Sequence, residues 1–216
     1  MSMPSVVPKA RHTATVIFLH GLGDTGHGWC QAFEEIAEPF VKYLFPTAKT
    51  QPVTLNFGMK MPSWFDIKSL SFQADEDTAG IKQSSNFLRS LVQEEIKNGI
   101  SPDRIIIGGF SQGGAVALHA AFTSDVTFGG VVALSTWLPM HQQFPAASTG
   151  KNQSTPIFQG HGDHDPVVPY QFGKMTHEYL KKMNPSPVFK TYRGVSHSSC
   201  EQEMGDVKDF IRKCFT

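Results

Sequence analysis

The segment Gly109-Phe110-Ser111-Gln112-Gly113 constrains this 216-residue chain more than any other feature. It follows the apolar run 105–107 and precedes a stretch rich in Ala and other small residues, 112–124. A serine at such a junction reads as a tight turn from strand to helix. The residues two places away on either side must lack bulk so that the turn can close. The N-terminus of the following helix then lies beneath the hydroxyl and favours developing negative charge. A bare G-x-S-x-G match is a weak signal, and the flanking strand and helix give it weight. Ser111 is the candidate nucleophile.

A turn of this kind needs a parallel sheet behind it. Residues 16–19, 104–107, 130–134 and 156–158 are continuous apolar runs, which fit strands covered on both faces. Residues 188–192 form a last candidate strand. Helical patterns fall between, at 78–98, 112–124, 170–183 and 200–215; the first ends at the stop signal Asn98-Gly99. Alternating strands and helices predict an α/β-hydrolase fold: a mainly parallel central sheet with helices on both faces. The length suits one core. The expected organisation is an N-terminal tail at 1–12 and a single domain at 13–216. Residues 51–70 and 141–155 read as irregular stretches, too short for a separate cap domain.

A serine hydroxyl needs a base to take its proton, and the base needs an acid to fix its tautomer. In this fold their chain order is serine, acid, histidine. The acid is expected just past a downstream strand, where His161-Gly162-Asp163-His164-Asp165-Pro166 offers Asp163 and Asp165. Asp165 is favoured, because it lies further beyond the strand and Pro166-Val167-Val168-Pro169 would stiffen its loop. Asp163 suits a turn that its own side chain stabilises. Only His177 and His197 follow. His177 falls inside a helical pattern, whereas His197 lies in a loop before the last helix, so His197 is the expected base. His20 reads as a histidine bonded to backbone and His119 as a helix residue. His161 and His164 flank the acids with a spacing that could mimic a metal site. A triad already accounts for that cluster, so no metal and no cofactor are expected.

Hydrolysis by this route also needs donors for the tetrahedral oxygen. The loop His20-Gly21-Leu22-Gly23-Asp24 follows the first confident strand and supplies one amide; Gln112, next to the nucleophile, supplies the other. Trp137, and Leu55, Phe57, Met59, Met61 and Trp64 in the irregular stretch, suggest either an acyl-binding groove or ordinary core.

Composition excludes several other classes. Lys plus Arg equals Asp plus Glu at 19 each and no basic cluster occurs, so neither nucleic-acid binding nor electrostatic docking to anionic lipid is expected. Cys30, Cys200 and Cys214 are widely spaced and odd in number, which fits neither a disulfide framework nor a zinc site. The N-terminus has no apolar core of signal-peptide length. A cytoplasmic location is the expectation.

Several segments together resemble the cytosolic acyl-protein thioesterases of the phospholipase/carboxylesterase group. They are His20-Gly21-Leu22-Gly23-Asp24-Thr25-Gly26, Pro52-Val53-Thr54-Leu55-Asn56, Met61-Pro62-Ser63-Trp64-Phe65-Asp66, Gly108-Gly109-Phe110-Ser111-Gln112-Gly113-Gly114 and the Asp163–Asp165 segment quoted above. They occur in the right order over nearly the whole chain. The resemblance implies a triad of Ser111, Asp165 and His197, with oxyanion donors at the Leu22 and Gln112 amides. It implies an acyl channel lined by Leu55, Phe57 and Trp137. It also implies removal of palmitoyl groups from protein cysteines and cleavage of lysophospholipids and small esters. The implied partners are S-acylated proteins and lipid esters, met in transient contact with membrane surfaces by a monomer or weak homodimer. Animal members often carry a palmitoylated cysteine beside the initiator methionine, where this chain has Ser2. Spacing alone reaches a serine hydrolase; only the resemblance reaches the thioester. The alternatives are a broad-specificity carboxylesterase or lysophospholipase, and a catalytically silent lipid-binding module.

Overall fold

Strands that are apolar on both faces need cover on two sides, and the chain supplies it. The computed structural model describes residues 3–71 and 75–216; Ser2 lies outside them. Its strands are β1 (Ser5–Val6), β2 (Ala14–Leu19), β3 (Val41–Leu44), β4 (Thr50–Val53), β5 (Met59–Pro62), β6 (Ile105–Phe110), β7 (Gly130–Leu134), β8 (Ile157–Gly162) and β9 (Val188–Tyr192). The helices are α1 (His27–Ile36), α2 (Thr78–Lys97), α3 (Gln112–Phe122), α4 (Tyr170–Lys181) and α5 (Glu201–Phe215). The main sheet runs β1-β3-β2-β6-β7-β8-β9, parallel except for the antiparallel edge pair β1–β3. β4 and β5 form a separate antiparallel hairpin.

Period-two alternation divides the core. Ile17, Leu19, Ile105, Ile107, Val131 and Ala133 pack with α2, α3 and α4 on one face. Val16, Phe18, Ile106, Val132 and Leu134 pack with α1 and α5 on the other. Each fully buried side chain of this size removes enough apolar surface to contribute roughly 1.5–3 kcal/mol. α3 is buried along its whole length, which its Ala-rich sequence permits. α2 starts at Asp77, whose side chain accepts from the Gly80 amide at 2.9 Å. It stops at Asn98-Gly99, and Gly99 sits at φ +92°.

Four regions depart from the sequence reading. Ser5–Val6 falls in the segment expected as a tail, yet it pairs with Leu44 and Tyr43 at the sheet edge. α1 and β3 fill 27–44, where no element was expected. Part of the irregular stretch 51–70 is the β4–β5 hairpin. β8 runs four residues beyond its apolar run, through Gln159-Gly160-His161-Gly162. Gly160 is small for a reason: a Cβ there would lie 2.2 Å from Glu203 Oε1.

The topology decides where chemistry can happen. β3 lies on one side of β2 and β6 on the other, so the chain reverses direction across the sheet between β2 and β6. Open parallel sheets bind ligands at the carboxyl ends of strands flanking such a switch point. The loop after β2 and the turn after β6 both end there.

Candidate active site

β6 delivers Ser111 with φ 51° and ψ −120°. A non-glycine residue at positive φ is strained and persists only when its surroundings hold it. Here the Ser111 amide donates to the Leu134 carbonyl at 2.8 Å. The Ser111 carbonyl accepts from Thr136 Oγ1 at 2.6 Å and from the Ala115 amide at 3.1 Å. The two flanking glycines are required by contact. A Cβ on Gly109 would lie 2.4 Å from the Gly113 carbonyl carbon, and one on Gly113 would lie 2.3 Å from the Leu19 oxygen.

The loops after β8 and β9 bring in the other two residues. His197 Nε2 lies 3.0 Å from Ser111 Oγ, and His197 Nδ1 lies 2.7 Å from Asp165 Oδ2. A carboxylate can only accept, so the ring carries its proton on Nδ1 and leaves Nε2 free to take one from serine. Asp165 Oδ1 accepts from the Val167 and Val168 amides at 2.8 and 2.9 Å. Burial pushes the Asp165 pKa up. The polar contacts from His161 and His197, the His197 charge and the Val167 amide outweigh it and hold the acid well below the usual carboxylate range.

The other candidate acid turns away. Asp163 Oδ1 accepts from the Gly194 amide and from His164 Nδ1, both at 2.7 Å, and so ties the acid loop to the base of the histidine loop. That pairing also gives His164 a place, as a solvent-exposed partner of Asp163. His177 lies on α4 with Nδ1 3.0 Å from Gln159 Oε1. His119 lies 2.8 Å from Ser85 Oγ, and burial lowers its pKa to about 4. Among the described residues no group of three or more His, Cys, Asp or Glu side chains converges as a metal site.

The loop after β2 is set by His20. Burial lowers this ring's pKa. Its Nε2 accepts from the Ala48 amide at 3.0 Å, which leaves Nδ1 to donate to the Gly21 carbonyl at 2.6 Å. The Gly21–Leu22 peptide is planar and trans, so holding its carbonyl toward the ring turns the Leu22 N–H the other way. Leu22 lines the same cleft as Ser111. Gln112 opens α3, where the first amides have no partner within the helix. Its side chain has a role that no sequence signal announced. Gln112 Oε1 accepts from the Trp64 amide at 3.0 Å, and Nε2 donates to Ser63 Oγ at 3.0 Å and the Phe65 carbonyl at 2.7 Å. The Trp64 indole donates to the His20 carbonyl at 2.9 Å. The elbow, the loop after β2 and segment 63–65 thus form one hydrogen-bonded unit.

The cleft above Ser111 holds about 590 Å³ and is walled by Leu22, Leu55, Phe110, Trp137 and Val167. Trp137 also borders a tighter recess among Phe65, Ile67, Leu70, Val168 and Phe172. Leu55 and Trp137 therefore lie where the acyl groove was expected. Phe57 does not: it is 97% exposed and absent from both walls. It follows the short turn Thr54–Asn56 at φ 56°, and that left-handed conformation carries it to the hairpin tip. Trp64 is core, buried under the loop that carries His20.

Residues 2–215 match the family described as Phospholipase/Carboxylesterase. The chain belongs to that family. It is 45% identical to acyl-protein thioesterase 1 of Gibberella zeae, over 97% of this chain and 94% of that protein. It is 46% identical to acyl-protein thioesterase 1 of Neurospora crassa, over 96% and 90% of the two chains. Among solved structures it is similar to acyl-protein thioesterase 2 of Zea mays, with a TM-score of 0.90 and 32% identity over 100% of this chain and 99% of that one. Arabidopsis thaliana SOBER1 superimposes with a TM-score of 0.90 at 28% identity, over 94% of this chain and all of its own. As a phospholipase/carboxylesterase family member the chain is a hydrolase of the α/β-hydrolase fold. Among its described residues no helix is long and apolar enough to cross a membrane.

Proposed function

We propose that this protein hydrolyses fatty-acyl thioesters, and carboxylic esters of similar shape, through an acyl-serine intermediate. The observation that carries this reading is the single imidazole within hydrogen-bonding distance of both Ser111 and Asp165. Ser111 Oγ attacks the acyl carbonyl while His197 Nε2 takes its proton. The Leu22 and Gln112 amides receive the developing oxyanion; one such donor is typically worth roughly 10²–10³ in turnover. His197 returns the proton to the leaving thiolate or alcohol. It then activates the water that releases the fatty acid. The apolar cleft and the recess beyond Trp137 take up the acyl chain. The thioester preference rests on the names of the Gibberella zeae and Neurospora crassa relatives, so S-acylated proteins are the proposed substrates.

The test is a rapid-mix assay with a chromogenic long-chain acyl ester, followed by mass spectrometry of the quenched protein. A burst of leaving group and an acyl adduct on Ser111 are expected, and Ser111→Ala removes both. Full turnover in that variant overturns the mechanism. Comparing kcat/KM for a palmitoylated peptide and a lysophospholipid decides between the thioester reading and a broad lipid esterase.

A further inference from the structure

A second histidine stands behind the acid. His161 is fully buried at the carboxyl end of β8, four residues before Asp165. Its Nε2 lies 2.9 Å from the Val168 carbonyl and 3.5 Å from Asp165 Oδ2. A carbonyl can only accept, so the ring proton sits on Nε2 and is directed chiefly to Val168. The second contact is long. It nonetheless places an N–H dipole on the carboxylate oxygen that also binds His197. The Val168 residue held by His161 is the one whose amide, with that of Val167, holds Asp165 Oδ1. His161 therefore fastens the turn that fastens the acid. α4 closes the other side: a Cβ on Gly173 would lie 2.4 Å from His161 Nδ1, so only glycine lets the ring seat at this depth.

We propose that His161 is a positioning residue for the triad. It locks the 165–168 turn and shares the Asp165 charge with His197, without touching substrate. This rests on the triad reading given above. Besides Asp165 and His197 themselves, Tyr170 of α4 packs its ring against His161 and has Lys174 over its own face, and Asp24 lines the cleft that holds His197. Asp163 and His164 are engaged with each other.

The decisive comparison is His161→Met against His161→Gln. Glutamine places an amide N–H as many bonds from the backbone as Nε2; methionine fills the space with no donor. The methionine variant is expected to lose about 10-fold or more in kcat with KM little changed, because a misplaced acid misplaces the base. More of the carboxylate charge then bears on His197, so the acid limb of the kcat/KM profile moves to higher pH. Glutamine is expected to restore most of the rate and the limb. Gly173→Ala, a change that favours helix, pushes the ring from behind and is expected to shift the profile in a folded protein. Wild-type rates and an unmoved limb in the methionine variant overturn the proposal, as does equal impairment by Gln and Met. Fluorophosphonate labelling of wild-type protein separates the two levels. Wild type that labels at Ser111 while His161→Met changes nothing sinks this inference alone; wild type that never labels sinks the triad as well.

Discussion

Around Ser111 the backbone is hemmed in. The elbow closes on two glycines, its peptide groups are bonded to Leu134 of β7 and to Thr136 just past it, and both loops that bring in Asp165 and His197 are tied by Asp163. Across the cleft, the β4–β5 hairpin is a two-stranded ribbon outside the main sheet. It leaves Phe57 and Met59 exposed and contributes only Leu55 and Asn56 to the cleft wall. The proposed proton transfer needs three side chains of the first region held to within a fraction of an ångström, and close packing is how a fold does that. In the proposed function the second would meet an acyl chain, which is read by apolar contact. Close backbone packing surrounds Ser111, whereas the hairpin meets the cleft through two side chains from outside the main sheet.

That contrast can be broken at several points. Asp165→Asn should cost most, on the order of 10⁴-fold in kcat with the fold intact, because an amide no longer enforces the Nδ1–H tautomer. Steady-state kinetics with a soluble ester measures it, and a loss below about tenfold would mean that the loop alone orients His197. Gly113→Ala comes next. Its methyl would meet the Leu19 oxygen at 2.3 Å, so backbone must shift, with an expected loss of about 3 kcal/mol or more in denaturant titrations. Retained stability would show that the elbow has slack.

Glu203 tests the same side from beneath. It lies buried in the first turn of α5, and among the described residues neither of its oxygens has a hydrogen-bond partner. Burial, and then the charge of Asp206, raises its pKa from 4.5 to about 8. The folded protein therefore binds a proton that the unfolded chain has released. Stability falls as pH rises from about 4.5 to about 8 and is level in this respect beyond. Glu203→Gln removes that dependence and should stabilise the protein at pH 8 by roughly 4 kcal/mol, with little effect at pH 4. Thermal melts at the two pH values check the sign. The smallest effects belong to the hairpin. Leu55→Ala should lower kcat/KM for long-chain substrates about 10-fold by removing apolar contact. Phe57→Ala should change a soluble short-chain assay less than about twofold and stability by no more than about 0.5 kcal/mol. Equal losses in both would mean that the hairpin tip folds over the substrate, and the contrast drawn above would fail.

Much of the site was legible in the chain. The elbow, the order of serine, acid and base, and the choice of Asp165 and His197 each followed from a local rule about turns, loops or helix faces. What escaped notice was held together by distance. Val41-Lys42-Tyr43-Leu44 carries one apolar residue too few to stand out, yet it is a strand because β2 lies alongside. Phe57 has the composition of a groove residue and the backbone of a turn tip. In sequence His161 reads only as a flank of the two acids, because its partner carbonyl is seven residues away, across a turn that no periodicity reveals.

By itself the amino-acid order determined the alternation of strands and helices, the strained serine at one junction and the choice of three candidate side chains, since propensity, glycine spacing and chain order act locally. Only the tertiary structure decided which apolar residues line the cleft above Ser111 and which histidine lies behind Asp165. Those choices depend on the direction of each side chain after β8 packs on α4 and the hairpin settles beside the cleft, and direction in space is a property of packed neighbours rather than of sequence position.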